Sequence, residues 1–199
     1  MSDIPFDVVA RRAKAELRKR LRGLRATHPE TAVAARSEKI VRRLEELPAF
    51  ASATRVALFW PIVERREVDL RPLDAKLRAA GKRVAYPAID PETRVMTFRW
   101  AAPDELEERG LGFAEPAATA AEATELDLVI VPALAADARG HRLGYGAGFY
   151  DRTLPRFAPP AKTAIVVYDF QLLAEVPALE GDVACDFVVT DARTLVRES

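Results

Sequence analysis

The stretch that most constrains this chain is Asp127 to Arg152, DLVIVPALAADARGHRLGYGAGFYDR. Leu128 to Val131 is an apolar, mostly β-branched run that stops at Pro132, the pattern of a strand buried on both faces. A polar, glycine-punctuated segment follows, and from Phe149 an aromatic and charged stretch reads as a helix start. The predicted order is strand, long loop, helix.

Gly140, Gly144, Gly146 and Gly148 are four of the nine glycines in the chain, concentrated where the backbone must turn or lie close to something else. Such a loop can present backbone N–H groups to an anion, and a helix beginning near Phe149 would add its own unpaired N–H groups. Arg142 and Arg152 bracket the loop with positive charge, and Asp151 supplies a hard oxygen of the kind Mg²⁺ takes when shared with a nucleotide. The pattern fits neither a GxGxxG loop, since position 149 is Phe, nor GxxxxGK[ST]. Taken alone, a GxGxG segment is more often a structural turn between a buried strand and a helix than a phosphate site.

With 199 residues, 49% of them hydrophobic, the chain suits one α/β domain over residues 1–199. Thirty basic residues balance thirty acidic ones, so no global field draws the molecule to nucleic acid or to a membrane, and any basic site is local. The single cysteine, Cys185, excludes an internal disulfide and a multi-cysteine metal site and fits a reducing cytoplasm. No leader-like or membrane-length apolar run is present.

Val8 to Arg25 reads as a helix with Ala10, Ala13, Leu17, Leu21 and Leu24 inward, and with Lys14, Arg18, Arg22 and Arg25 at the rim of that face. Thr27-His28-Pro29-Glu30 reads as a capping box for a second helix reaching about Leu47. Strands are expected at Arg55 to Trp60, at Arg83 to Tyr86 stopping at Pro87, and at Val95 to Trp100, the last one antiparallel. A helix is expected between the first two, from about Asp69 to Ala80. Pro103 to Arg109 reads as a short acidic helix and Ala117 to Glu125 as a surface linker. The helix from Phe149 should break near Pro155. Lys162 to Tyr168 and Cys185 to Thr190 are the remaining strands, the latter read as the last. Alternation of strands and helices predicts an α/β, Rossmann-like fold in three layers, with a mostly parallel or mixed sheet flanked by helices and ligands at the strands' carboxyl ends. His28 and His141 read as surface and loop residues, leaving no histidine base.

Taken whole, RLGYGAGFYDR preceded by LDLVIVPALAAD closely resembles the signature of the 5-formyltetrahydrofolate cyclo-ligase family, also called methenyltetrahydrofolate synthetases. The likeness extends from Lys14 to Thr190 and includes LGFAEP at Leu111 to Pro116. It implies an ATP- and Mg²⁺-dependent conversion of 5-formyltetrahydrofolate to 5,10-methenyltetrahydrofolate, in which the formyl oxygen is phosphorylated and N10 closes the ring. It implies ATP contacts from Lys14, Arg18, Arg142, Leu143, Gly144, Tyr145, Gly146, Ala147, Gly148, Phe149 and Tyr150. Folate contacts fall on Trp60 and Glu67 with Tyr145, Gly146 and Gly148, and Mg²⁺ on Asp151 and Asp182. No residue is singled out as catalytic. Apart from the resemblance, Trp60 reads equally as packing, Glu67 as a carboxylate at a helix start and Asp182 as a turn residue. The chain departs from the family pattern at Ala136, Ala147 and Gly181. The implied protein is a cytoplasmic monomer whose partners are ATP and 5-formyltetrahydrofolate. The same residues would serve a divergent relative that binds folate or nucleotide without turnover; RNA binding by the basic stripe is disfavoured by the zero net charge.

Overall fold

The computed structural model describes residues 6–110 and 112–198. In chain order its elements are α1 (Phe6–Ala26), α2 (Glu30–Glu45), α3 (Pro48–Ser52), β1 (Arg55–Ala57), α4 (Arg71–Ala79), β2 (Arg83–Ile89), β3 (Met96–Trp100), β4 (Leu106–Glu108) and β5 (Ala114–Pro116). They continue with β6 (Leu128–Pro132), β7 (Ala135–Asp137), β8 (Arg142–Leu143), α5 (Phe149–Thr153), β9 (Lys162–Val166), β10 (Leu172–Leu173), β11 (Phe187–Val189) and β12 (Thr194–Val196).

Seven strands form one sheet in the order β12-β11-β9-β6-β1-β2-β3. The five inner strands are parallel, while β12 and β3 are antiparallel edges, so the sheet is mostly parallel and mixed at its rims. Residues alternate between two apolar layers with the period of two that a pleated strand imposes. Val56, Leu58, Leu128 and Ile130 face α2 and α4 through Ile40, Leu44, Leu73 and Leu77. Ala57, Val129 and Val131 face the opposite layer, built from Leu154, Phe157 and Leu126. Leu128 to Val131 are entirely buried because β6 lies between parallel neighbours and is covered on both sides.

The strand order reverses direction at β1. From β1 the chain passes through α4 to β2 on one side, whereas β6, β9 and β11 are added on the other. The crevice outside the carboxyl ends of β1 and β6 is therefore the topological switch point, where open α/β sheets bind ligands.

Several boundaries differ from the expected ones for identifiable reasons. β2 passes through Pro87 to Ile89, since Phe98 opposite gives its carbonyl to Ala123 N at 2.7 Å and asks no hydrogen bond of Pro87. On the β1 side Leu58 N donates to Ala85 O, and the next donor in that ladder would be residue 87. Proline has no N–H, so β1 stops short of the expected Trp60. Leu106 to Glu108 forms β4 and pairs with β5 in place of the acidic helix, after a single 3-10 turn at Pro103–Glu105. The alanine-rich segment runs along β3, with Ala123 buried. Thr27 closes α1 by donating to Leu24 O, and α2 starts after Pro29 with no side-chain cap, so the capping box is absent. The chain adds β12 beyond β11, pairing the C-terminal segment back onto the sheet. α5 ends at Thr153 and a 3-10 turn carries Pro155, as its ring requires.

Candidate active site

The expected long loop between β6 and α5 contains structure of its own. β7 and β8 form a hairpin, and β10 joins β7 in a three-stranded sheet. The turn is held by fully buried Asp137, whose carboxylate accepts the N–H groups of Arg139, His141 and Val176. Gly140 has φ +79° and its carbonyl accepts Cys185 N at 2.9 Å. A Cβ there would lie 2.2 Å from the Cys185 carbonyl oxygen, so only glycine lets these two segments touch.

From Tyr145 to Gly148 no backbone N–H donates to an acceptor among the described residues. Gly146 has φ +112°, a backbone conformation that favours glycine, and lies beside the Arg18 guanidinium, whose Nε donates to Gly144 O at 2.9 Å. α5 is only five residues long, so the dipole expected of a helix starting at Phe149 is that of barely one turn. The donors available to an anion are chiefly the loop N–H groups and nearby cations.

Those cations come from α1 and β8. Lys14 is 5% exposed and bonds Asp182, whose Oδ2 also accepts Leu179 N at 2.8 Å. Arg142, 8% exposed, donates Nη2 to Asp151 Oδ1 at 2.5 Å and Nη1 to the Val183 carbonyl. Val183 N returns to Asp151 Oδ1 at 3.1 Å, so the residue next to Asp182 bridges to Asp151. Two of the three expected phosphate-binding cations, Lys14 and Arg142, thus pair with the two expected metal carboxylates, while Arg18 bonds the loop backbone. Asp151 Oδ2 and Asp182 Oδ1 bond nothing among the described residues. No set of three or more His, Cys, Asp or Glu with metal-ligand geometry occurs among the described residues. Two free carboxylate oxygens fit Mg²⁺ when phosphate oxygens and water complete its shell, and would be too few for a self-sufficient cage.

On the other side of the loop is a cavity of about 270 Å³ over the carboxyl ends of β1, β2 and β6. Trp60, Glu67, Arg142, Gly144, Tyr145, Ala147, Gly148, Phe149, Tyr150 and Asp151 line it. Trp60 stands edge-on to Tyr86 with ring centroids 6.0 Å apart. Glu67 is 7% exposed; its Oε2 accepts Ile62 N at 2.9 Å and its Oε1 accepts the Tyr145 hydroxyl. Burial, reinforced by the charge of Glu67, pushes the Tyr145 and Tyr150 hydroxyls well up, so both are protonated donors. Tyr150 Oη is buried with no hydrogen-bond partner among the described residues. Lys14, Arg18, Gly146 and Asp182 lie outside this lining, on the α1 side of the loop, and the Leu143 side chain is turned away into the small cluster with Leu21 and Leu134.

The sequence misplaced Leu24, Lys14 and Arg25 on α1 and passed over other residues. The inner line of α1 is Ala10, Lys14, Leu21 and Arg25, while Leu24 is 40% exposed; the buried stripe is turned toward the cations. Arg25, expected at the rim, is 3% exposed and donates Nη2 to the Tyr145 hydroxyl at 2.9 Å. The step of four from Lys14 through Arg18 and Arg22 spreads off this line, and the 14, 21, 25 spacing was the available signal. Arg65, Arg94 and Phe113 also line the cavity, from loops whose approach no local pattern reveals. Of the departures from the family pattern, Ala136 is buried in the core, Ala147 borders the cavity and gives its carbonyl to Arg152, and Gly181 occupies a turn at φ +87°.

A parallel sheet with a partly apolar cleft at its switch point, flanked by a loop of free N–H groups and by part-buried ion pairs, defines an α/β enzyme acting on a small molecule. The chain belongs to the 5-formyltetrahydrofolate cyclo-ligase family, whose model matches residues 10–191. A 5-formyltetrahydrofolate cyclo-ligase of Escherichia coli K12 is 33% identical over 163 residues, covering 78% of this chain and 88% of that one. One from Mycolicibacterium smegmatis is 52% identical over 81 residues, 41% of this chain and 40% of its own. Among solved structures, the 5,10-methenyltetrahydrofolate synthetase of Aquifex aeolicus superposes with a TM-score of 0.81 at 30% identity, covering 94% of this chain and 93% of that one. The synthetase of Mycoplasma pneumoniae shares the fold, with a TM-score of 0.69 at 22% identity over 89% of this chain and 98% of that one.

Proposed function

We propose that this chain, acting as a single-domain cytoplasmic monomer, uses ATP and Mg²⁺ to convert 5-formyltetrahydrofolate to 5,10-methenyltetrahydrofolate. The observation that carries this reading is the loop at Tyr145 to Gly148, with N–H groups free of protein acceptors between an aromatic cavity and the paired cations of Arg142 and Lys14. Membership of the family supports the same substrates.

In this reading the folate ring enters the cavity, where the carboxylate of Glu67 accepts ring N–H groups and Trp60 packs on an edge. The triphosphate lies along the loop, against Arg18, Arg142 and Lys14. Its arrival lets the ion pairs exchange partners, the cations turning to phosphate and Asp151 and Asp182 becoming free for metal. Mg²⁺ held there would neutralise charge on the phosphates during transfer.

The chemistry requires two nucleophilic steps with little covalent help from the protein. The formamide oxygen attacks the γ-phosphorus and ADP leaves; N10 then attacks the activated formyl carbon, loses its proton, and the C–O bond breaks with departure of phosphate. Holding two substrates in line and spreading negative charge are the protein's contributions, so the absence of a histidine base fits. The test follows the near-ultraviolet absorbance of methenyltetrahydrofolate with purified protein, 5-formyltetrahydrofolate, ATP and Mg²⁺. Product should require ATP, and Asp151→Asn should lower kcat by at least about tenfold. A folded protein that binds both substrates and yields no product would leave the non-catalytic relative as the better reading.

A further inference from the structure

Arg25 is a buried cation that the chemistry above does not use. It projects from the inner face of α1 and is 3% exposed. A guanidinium has five N–H donors, and burying one is costly unless they are satisfied. A purely structural arginine in such a place satisfies its donors on backbone carbonyls and carboxylates. Arg25 makes no such bond among the described residues. Among the described residues its one direct hydrogen bond is to the Tyr145 hydroxyl, at 2.9 Å, and its buried Nε has no partner there. Its Nη2 is also 4.0 Å from Glu67 Oε1, and its guanidinium carbon lies 5.7 Å from the centre of the Tyr145 ring. Both of its polar neighbours line the cavity.

We infer that Arg25 is a positioning residue that holds Glu67, through the Tyr145 hydroxyl, in the orientation that receives the donor edge of the folate ring. The inference rests on the cyclo-ligase reading of the cavity. Glu67 is held at each oxygen by one donor, Ile62 N at Oε2 and the Tyr145 hydroxyl at Oε1, which fixes the carboxylate plane and leaves a lone pair on each oxygen for a ligand. Tyr145 can donate to Glu67 because it accepts from Arg25, so the three groups form one directed chain. Arg25 also supplies the counter-charge nearest to a carboxylate placed among Phe59, Val68 and Pro132. A neutral residue at position 25 would leave Tyr145 free to rotate and Glu67 without that charge. Arg25 meets the loop only at the Tyr145 side chain and bonds neither member of the Lys14 and Arg142 pairs, so its effect should fall chiefly on the folate side.

The test compares wild type, Arg25→Met, Arg25→Lys, Tyr145→Phe and the Arg25→Met/Tyr145→Phe double variant, assayed as full chains with ATP and Mg²⁺. The expected result for Arg25→Met is a KM for 5-formyltetrahydrofolate raised roughly tenfold, with the KM for ATP changed less than about twofold. Arg25→Lys should recover part of the loss by restoring the charge. Tyr145→Phe should raise the folate KM as well, and the double variant should be no worse than the more damaged single variant, since both cut the same chain. An unchanged folate KM in folded Arg25→Met, an equal rise in the ATP KM, or additive effects in the double variant would each overturn the inference. If Arg25→Met does not fold, an unchanged folate KM in Tyr145→Phe overturns it as well. Wild-type protein without turnover would instead sink the cyclo-ligase reading, a separate outcome.

Discussion

Single residues carry the site through contacts that tolerate little change. Gly140 is the sharpest case: its positive φ and the Cys185 carbonyl 2.2 Å from a built Cβ leave no space for a side chain. Gly140→Ala should destabilise the protein by about 2–4 kcal/mol, measured by urea unfolding, because both backbone strain and a steric shift are imposed. A loss under about 0.5 kcal/mol would show that the two segments separate freely. The cluster of glycines was legible in the sequence as a loop with special backbone needs, yet the needs differ. Gly140 meets another backbone, Gly146 takes a positive φ, and Gly144 contributes a carbonyl. Residue-level legibility fails where burial contradicts type: Arg25 and Lys14 look like solvent charges in a helical stripe, and only their partners on distant elements explain why they are inside.

Secondary elements were legible where one physical signal dominates. β6 declares itself by four buried apolar residues in a row, and the break of α5 by Pro155. β4, β7, β8 and β10 are two or three residues long and exist through their pairing partners, so no periodicity could reveal them. The start of β1 and the approach to β6 are clamped by Asp127, whose carboxylate accepts Thr54 N, Thr54 Oγ1 and Arg55 N and pairs with the Arg55 guanidinium at 2.6 Å. The Arg55 hydrogen bond holds the Asp127 carboxyl well below the usual carboxylate range, with the Thr54 and Arg55 N–H groups adding to it and partial burial opposing. A group depressed in the folded state contributes stability above the unfolded value of about 4 and loses it as pH falls toward the lowered folded value. Asp127→Asn should therefore be less stable than wild type at pH 7, by roughly 1 kcal/mol after allowance for its solvent exposure, with the gap narrowing at pH 3. Urea unfolding at the two pH values checks this; a gap independent of pH would contradict the assignment.

At the scale of the whole molecule, the sequence indicated an α/β fold with a mostly parallel sheet, and the strand order added what the sequence could not. The cavity lies where the order reverses between β1 and β6, and it gathers Trp60 and Glu67 from one half of the chain with Tyr145 to Asp151 from the other. Sequence separation hides such convergence, so Arg65, Arg94 and Phe113 went unnoticed while the contiguous loop did not. The resemblance to a known signature supplied Asp182, which by itself looks like a turn residue. In the proposed function this arrangement brings the formyl oxygen of one substrate to the γ-phosphoryl group of the other. The most direct measurement is the fate of that oxygen: 5-formyltetrahydrofolate labelled with ¹⁸O in the formyl group is turned over with ATP, and the inorganic phosphate is analysed by mass spectrometry. One labelled oxygen is expected in each phosphate released. Label appearing in water, with unlabelled phosphate, would contradict it.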